Sequence, residues 1–179
     1  LLTLVAGVAA AAALERLPGR APRLKWPNDL RYDGRKAGGI LTEARAAPDG
    51  ISLAVVGIGV NLFQQPEDFP PDIRRTATSV AAATGRRVDR AEAAAAVLDE
   101  LDAGYRRWLR EGFGPVARAW RERASTLGKR VRIIRDGAEV EGRAGDLAED
   151  GALLVETASG TVRVQAGEVA ELEETECSS

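Results

Sequence analysis

Three short stretches carry most of the residues able to do chemistry: Lys25-Trp26-Pro27-Asn28-Asp29, then Arg35-Lys36-Ala37-Gly38-Gly39-Ile40-Leu41, then Gly57-Ile58-Gly59-Val60-Asn61. The chain has no histidine, which excludes a Ser-His-Asp triad, a His-assisted thiol nucleophile and a His-ligated zinc. Its one cysteine, Cys177, can form no internal disulfide, the usage expected of a reducing cytoplasm. Chemistry must therefore rest on Lys, Arg, Asp, Glu, Asn and backbone groups. Each candidate also has a plain structural reading. Lys36 can be a solvated strand residue, Gly38-Gly39 a β-bulge, Asn61 a strand-ending turn residue, and Asn28-Asp29 the turn chemistry that follows a proline.

The elements that must position these residues follow from pattern. The opening run LLTLVAGVAAAAAL is shorter than the roughly 20 residues a membrane span needs, and no basic segment precedes it. It predicts a buried helix ending near Pro18-Gly19. Residues 24–27, 38–44 and 51–60 read as strands of an antiparallel meander, with Asp33-Gly34 and Asp49-Gly50 as turn pairs. The run ISLAVVGIGV is apolar enough for a strand buried on both faces. Residues 64–76 are proline-rich and irregular. A short helix over 79–84 stops at Gly85, and Asp89 with Glu92 resembles a capping box. Behind it Val97, Leu101, Tyr105 and Trp108 or Leu109 recur at helical spacing, a face expected to pack on the sheet. Val116, Trp120 and Ala124 continue that pattern in a further helix, and Trp108 and Trp120 read as core anchors. From Leu127 four short strands and tight turns, including Asp136-Gly137, indicate a small β-barrel, with a domain boundary near Ser125-Thr126.

Composition sets outer bounds. With 179 residues, 45% hydrophobic and 29% charged, and a net charge of −2, the chain suits one medium domain plus a small appendage. Charge is segregated: residues 104–135 hold ten Arg or Lys against two Glu, while 136–179 hold twelve acids against two arginines. The basic stretch lies on amphipathic helices and lacks interleaved aromatics, so a solvated face is expected rather than a nucleic-acid surface. The chain begins at Leu1 and contains no methionine, as expected for a piece of a longer protein.

Taken in order, Leu24-Lys25-Trp26-Pro27-Asn28-Asp29-Leu30, Arg35 to Leu41 and Gly57 to Asn61 resemble the KWPNDL, RK-x-AGIL and G-x-G-x-N segments of biotin–protein ligases, the biotin–[acetyl-CoA-carboxylase] ligases. The resemblance covers essentially the whole chain. It implies an α+β fold: a class II aminoacyl-tRNA synthetase/biotin ligase-like catalytic domain over residues 1–125, then an SH3-like β-barrel over 126–179. It implies ATP-dependent ligation of biotin, through biotinyl-5′-AMP, to one lysine of a biotin carboxyl carrier domain of a carboxylase. Mg²⁺ would be held chiefly by ATP phosphates, since no dense carboxylate cluster lies near the motifs; the metal-ligand expectation for the protein is none. A homodimer is allowed; neither nucleic acid nor membrane is expected as a partner.

The same resemblance assigns roles. Lys36 and Asp29 are the catalytic pair, Lys36 offsetting the repulsion between carboxylate and phosphate and Asp29 serving the acceptor lysine. Lys36, Gly38, Gly39 and Ile40 would contact biotin, the glycines letting a flat ring lie on the strand. Lys25, Asn28, Lys36 and Asn61 would contact ATP or the adenylate, with Arg132 standing in for a basic residue after the last barrel strand, where this chain has Glu168-Val169-Ala170-Glu171. Trp26 is expected to pack below the site. The family's Arg- and Gly-rich loop, GRGR-x-GR, is absent from these residues, so the chain alone is expected to be poorly active. A lipoate or octanoyl ligase shares the reaction logic, and a non-catalytic docking protein is the reading from another class.

Overall fold

Why does an alanine-rich helix sit where larger side chains would be expected? In the computed structural model, which describes residues 1–48, 50–135 and 138–172, α1 (Leu2–Arg16) is pressed between two layers. Its buried side is Leu4, Val5, Ala6, Ala9, Ala10, Ala11, Ala13 and Leu14. Beneath it lies an antiparallel sheet in sequence order, β1 (Arg23–Lys25), β2 (Asp29–Tyr32), β3 (Arg35–Ala47) and β4 (Gly50–Val60). The approach is close: a Cβ on Gly7 would lie 3.7 Å from Leu24 and 3.8 Å from Ile40, and the Thr3 and Thr42 hydroxyls bond at 3.1 Å. Small residues are what such spacing admits. The expected turn residue Asp49, the turn at Asp136-Gly137 and Cys177 lie outside the described residues.

β2 and β3 form a hairpin closed by Asp33 (φ 49°) and Gly34 (φ 75°), two positive-φ residues that match the strand twist. Its inner face carries Leu30, Tyr32, Ala37 and Ile40 into the core, beside Leu24 of β1. β4 departs from expectation. Leu53 is 52% and Val55 56% exposed, so the strand is not buried on both faces. It is the last strand of its sheet, and only Val56, Ile58 and Val60 turn toward the helices.

After an irregular stretch with a single 3-10 turn at Pro66–Asp68, α2 (Val80–Thr84) starts at a Ser79 cap and stops at Gly85 in the left-handed conformation. Asp89 caps α3 (Arg90–Glu111) by accepting from the N–H groups of Ala91 and Glu92. α3 packs on α1 rather than on the sheet, and its buried side is made of small residues, Ala93 and Ala96. Of the large apolar side chains chosen from periodicity, Leu101 packs against the core and Val97 and Trp108 are half-buried, while Tyr105 and Leu109 are exposed, with Tyr105 edge-on to Trp108. α4 (Gly114–Arg123) anchors Val116, Ala117 and Trp120 in the core.

The chain ends in a second antiparallel sheet of β5 (Arg130–Arg135), β6 (Ala138–Leu147), β7 (Leu153–Thr157), β8 (Gly160–Val164) and β9 (Glu168–Glu171), ordered β8-β7-β6-β5-β9. Four strands were expected; β9 is the fifth, pairing antiparallel with β5. Its sequence, EVAE, has one buried apolar residue, Val169, too little alternation for pattern to reveal it. No helix among the described residues is long and apolar enough to cross a membrane.

Candidate functional site

On the face of the first sheet turned away from α1, a shallow groove of about 450 Å³ is lined by Asn28, Lys36, Gly39, Leu41, Gly57 and Gly59, with Ile40 and Ile58 beside them. Antiparallel register builds it. Gly39 stands opposite both Asp29 on β2 and Gly59 on β4, and Leu41 stands opposite Gly57. Because side chains alternate across a strand, Asp29, Gly39, Leu41, Gly57 and Gly59 share one face.

The glycines are not equivalent. A Cβ on Gly38 would meet the Gly59 carbonyl oxygen at 2.5 Å, so the fold itself requires glycine there. Gly57 and Gly59 are different: their nearest neighbours would be 3.8 and 3.9 Å away, and neither has positive φ. Nothing among the described residues asks for glycine at these two positions. Gly39 is intermediate, its nearest neighbour being the flexible Lys36 side chain at 3.4 Å. A bare floor that folding does not require is a floor shaped for something that lies on it.

At one end of this floor stands an ion pair. Lys36 Nζ is 2.6 Å from Asp29 Oδ1, and Arg31 Nη2 reaches Asp29 Oδ2 at 3.4 Å while its Nη1 donates to the Gly34 carbonyl. Arg31 Nε is buried with no partner. The carboxylate is largely enclosed (15% exposed) and the ammonium half open (49%). Two cations around one carboxylate leave local positive charge facing the groove, suited to an anionic ligand. Asn28 clasps the adjoining strand, its Nδ2 donating to the Ile40 carbonyl at 2.8 Å while its own carbonyl accepts from Ile40 N–H at 2.9 Å. The Ile40 side chain is buried beside Gly7, leaving its main chain to the groove.

The remaining sequence candidates lie elsewhere. Asn61 does not line the groove; its Nδ2 donates to the Thr78 carbonyl at 3.1 Å, and its backbone bonds Ala37 and Val80, fixing the loop that precedes α2. Lys25 Nζ donates to the Val169 carbonyl at 2.5 Å; burial, helped by the positive charge of Arg31, lowers its pKa from the usual lysine value. Arg132 sits on β5, paired with Glu139 at 2.9 Å and Glu141 at 3.6 Å. Gly57, Gly59 and Arg31 enter the site without having been assigned from sequence. For the glycines the signal was present: two at i and i+2 fall on one strand face. Among the described residues no cluster of three or more metal-binding side chains forms.

Comparison with known proteins is consistent from end to end. Residues 126–170 match the family model described as "Biotin protein ligase C terminal domain". The chain is 37% identical over 176 residues to a biotin--[acetyl-CoA-carboxylase] ligase of Paracoccus denitrificans, covering 94% of this chain and 71% of that protein. It is 34% identical over 168 residues to the bifunctional ligase/repressor BirA of Bacillus subtilis, covering 94% of this chain and 52% of that one; it thus spans about half the length of that relative. The biotin protein ligase of Aquifex aeolicus, solved in complex with biotin and ATP, superposes with a TM-score of 0.82 at 28% identity, over 96% of this chain and 70% of the other.

Proposed function

The chain belongs to the biotin protein ligase family, and from that premise we propose that the glycine-floored groove holds biotin and that the Asp29–Lys36 pair serves its ATP-dependent transfer to a lysine. The observation that carries this reading is the floor itself: Gly57 and Gly59 are bare for no reason internal to the fold, beside a lysine half open to the groove. A flat bicyclic ring system fits such a surface, and Leu41 and Val55 supply apolar walls for an aliphatic tail.

In the first step the biotin carboxylate oxygen attacks the α-phosphorus of ATP and pyrophosphate leaves. Lys36 lies where two anions must meet and offsets their repulsion as charge builds on the phosphoryl oxygens. Asp29 orients Lys36, and Arg31 keeps Asp29 paired when Lys36 turns to its ligand. In the second step an acceptor amine attacks the acyl carbon and AMP leaves, Asp29 drawing in the incoming ammonium and taking its proton. Asn28 sets the groove wall through Ile40. Lys25, Asn61 and Arg132 remain proposed nucleotide contacts, supported by family membership and requiring each side chain to leave its present partner. The groove offers no divalent-cation site, because its carboxylate is committed to Lys36 and Arg31; Mg²⁺ is assigned to the nucleotide's own phosphates. The acceptor is a biotin carboxyl carrier domain, and the compartment the cytoplasm. A proposed boundary at residues 125/126 separates the two units.

Calorimetry with biotin, and biotin-dependent exchange of labelled pyrophosphate into ATP, test this directly in the whole protein. Lys36→Ala removes a charge contact worth about 3 kcal/mol in the transition state, so exchange falls by at least roughly a hundredfold. Binding of lipoate in place of biotin, or exchange indifferent to Lys36, refutes the assignment.

A further inference from the structure

Three consecutive residues on and just after β1, the strand that leads into Asn28, grip the second sheet and the segment entering it. The Leu24 carbonyl accepts from Ser125 N–H at 2.8 Å. Lys25 Nζ donates to the Val169 carbonyl on β9 at 2.5 Å. Trp26 donates twice, its backbone N–H to Thr126 Oγ1 at 3.0 Å and its indole Nε1–H to the Gly151 carbonyl at 3.1 Å. The Trp26 bonds are interior, with Trp26 2% exposed and Thr126 fully buried, and the Lys25 bond is part-buried. Unmaking one leaves a polar group without water to replace its partner. One residue further on, Pro27 fixes its own φ and stiffens the link to Asn28. Asn28 then clasps Ile40 through two hydrogen bonds, and Asp29 pairs with Lys36.

We propose that Lys25 and Trp26 are positioning residues that carry the seating of the second sheet into the Asn28–Ile40 clasp, holding the Asp29–Lys36 end of the groove in register with its glycine floor. The second sheet is thereby part of the groove's frame without touching its ligand. Other ties between the helices and the second sheet bypass this strand. Arg121 on α4, for one, bonds Asp146 and the Leu147 carbonyl on β6. The proposal rests on the groove being the ligand site, yet its structural core can be tested with no ligand present.

The experiment is amide hydrogen exchange on the wild-type chain, Lys25→Met, Lys25→Arg, Trp26→Phe and Arg121→Leu. The reporter is the Ile40 N–H bonded to Asn28; Ala10 in α1 and Val155 in β7 report on the rest of the fold. Lys25→Met and Trp26→Phe are expected to speed Ile40 exchange about tenfold, the effect of loosening one local hydrogen bond, while both control amides hold. Lys25→Arg, which keeps a cationic donor, stays within about threefold of wild type. Arg121→Leu leaves Ile40 unchanged. Ile40 exchange unaltered in Lys25→Met and Trp26→Phe, or rising only in step with Ala10 and Val155, overturns the proposal. Should Trp26→Phe fail to fold, the contrast between Lys25→Met and Lys25→Arg decides. Biotin calorimetry on the same substitutions in the whole protein is a separate arm: no binding by its unsubstituted form counts against the ligase reading and leaves the exchange result standing.

Discussion

Lys36 and Asp29 were both chosen from sequence, but as separate actors; the fold joins their side chains in one ion pair. That contact changes what Asp29 is expected to do. A carboxylate that orients the catalytic ammonium matters in adenylate formation and not in transfer alone. Asp29→Asn is therefore expected to lower pyrophosphate exchange about tenfold as well as slowing biotin transfer, which single-turnover measurements of each step will show. A variant impaired only in transfer would restore the view of Asp29 as a partner of the acceptor alone. Residue type and spacing singled out Lys36, Asn28 and Gly39, which the fold brings to one groove, because each motif is local. Arg31 was not assigned, although it stands two residues from Asp29 on β2, the strand spacing that puts both on one face and lets them meet. Asn61 and Lys25 were recognisable as special residues, yet their present partners, Thr78 and Val169, follow from loops and a second sheet that sequence alone does not place.

At the scale of elements, β3 and β4 separate two uses of glycine that look alike in sequence. Gly38→Ala forces a methyl group against the Gly59 carbonyl and is expected to cost about 1–3 kcal/mol of stability. Gly57→Ala has room for its methyl group and should leave stability within about 1 kcal/mol while weakening biotin binding about tenfold, since the methyl rises from the floor. Denaturant unfolding paired with calorimetry distinguishes them; loss of stability in both variants alike would undo the argument. Tyr32 at the hairpin base makes a second test. Burial pushes its phenol up to about 12, with Arg20 opposing, and its hydroxyl donates to the Arg20 carbonyl. A folded-state pKa raised above the usual 10 favours the folded form below pH 10, and that contribution is lost as pH climbs from 10 to about 12. Tyr32→Phe should flatten the alkaline fall in stability across that window, measured by denaturant midpoints at successive pH values. Strand and helix positions were largely legible from periodicity and caps. What failed was the assignment of faces for β4 and α3, because small residues, not large ones, mark where elements approach most closely.

For the molecule as a whole, the segregated charges of the sequence turn out to be partners. Lys129 pairs with Glu171, Arg130 with Glu141, Arg132 with Glu139, and Arg121 with Asp146. Composition showed two opposed blocks and could not show that folding lays one against the other. The tie through β1 has a consequence in time. Val169 and Gly151 follow their partners Lys25 and Trp26 by 144 and 125 residues, and a chain emerging from the ribosome folds its first part first. The first sheet and its helices can therefore form while the strand bearing Lys25 and Trp26 still lacks its grip. The groove's lining is complete by Gly59 while its grip waits for Val169, so on the proposed reading a nascent chain can shape its floor before it can hold a reactive acyl group in place.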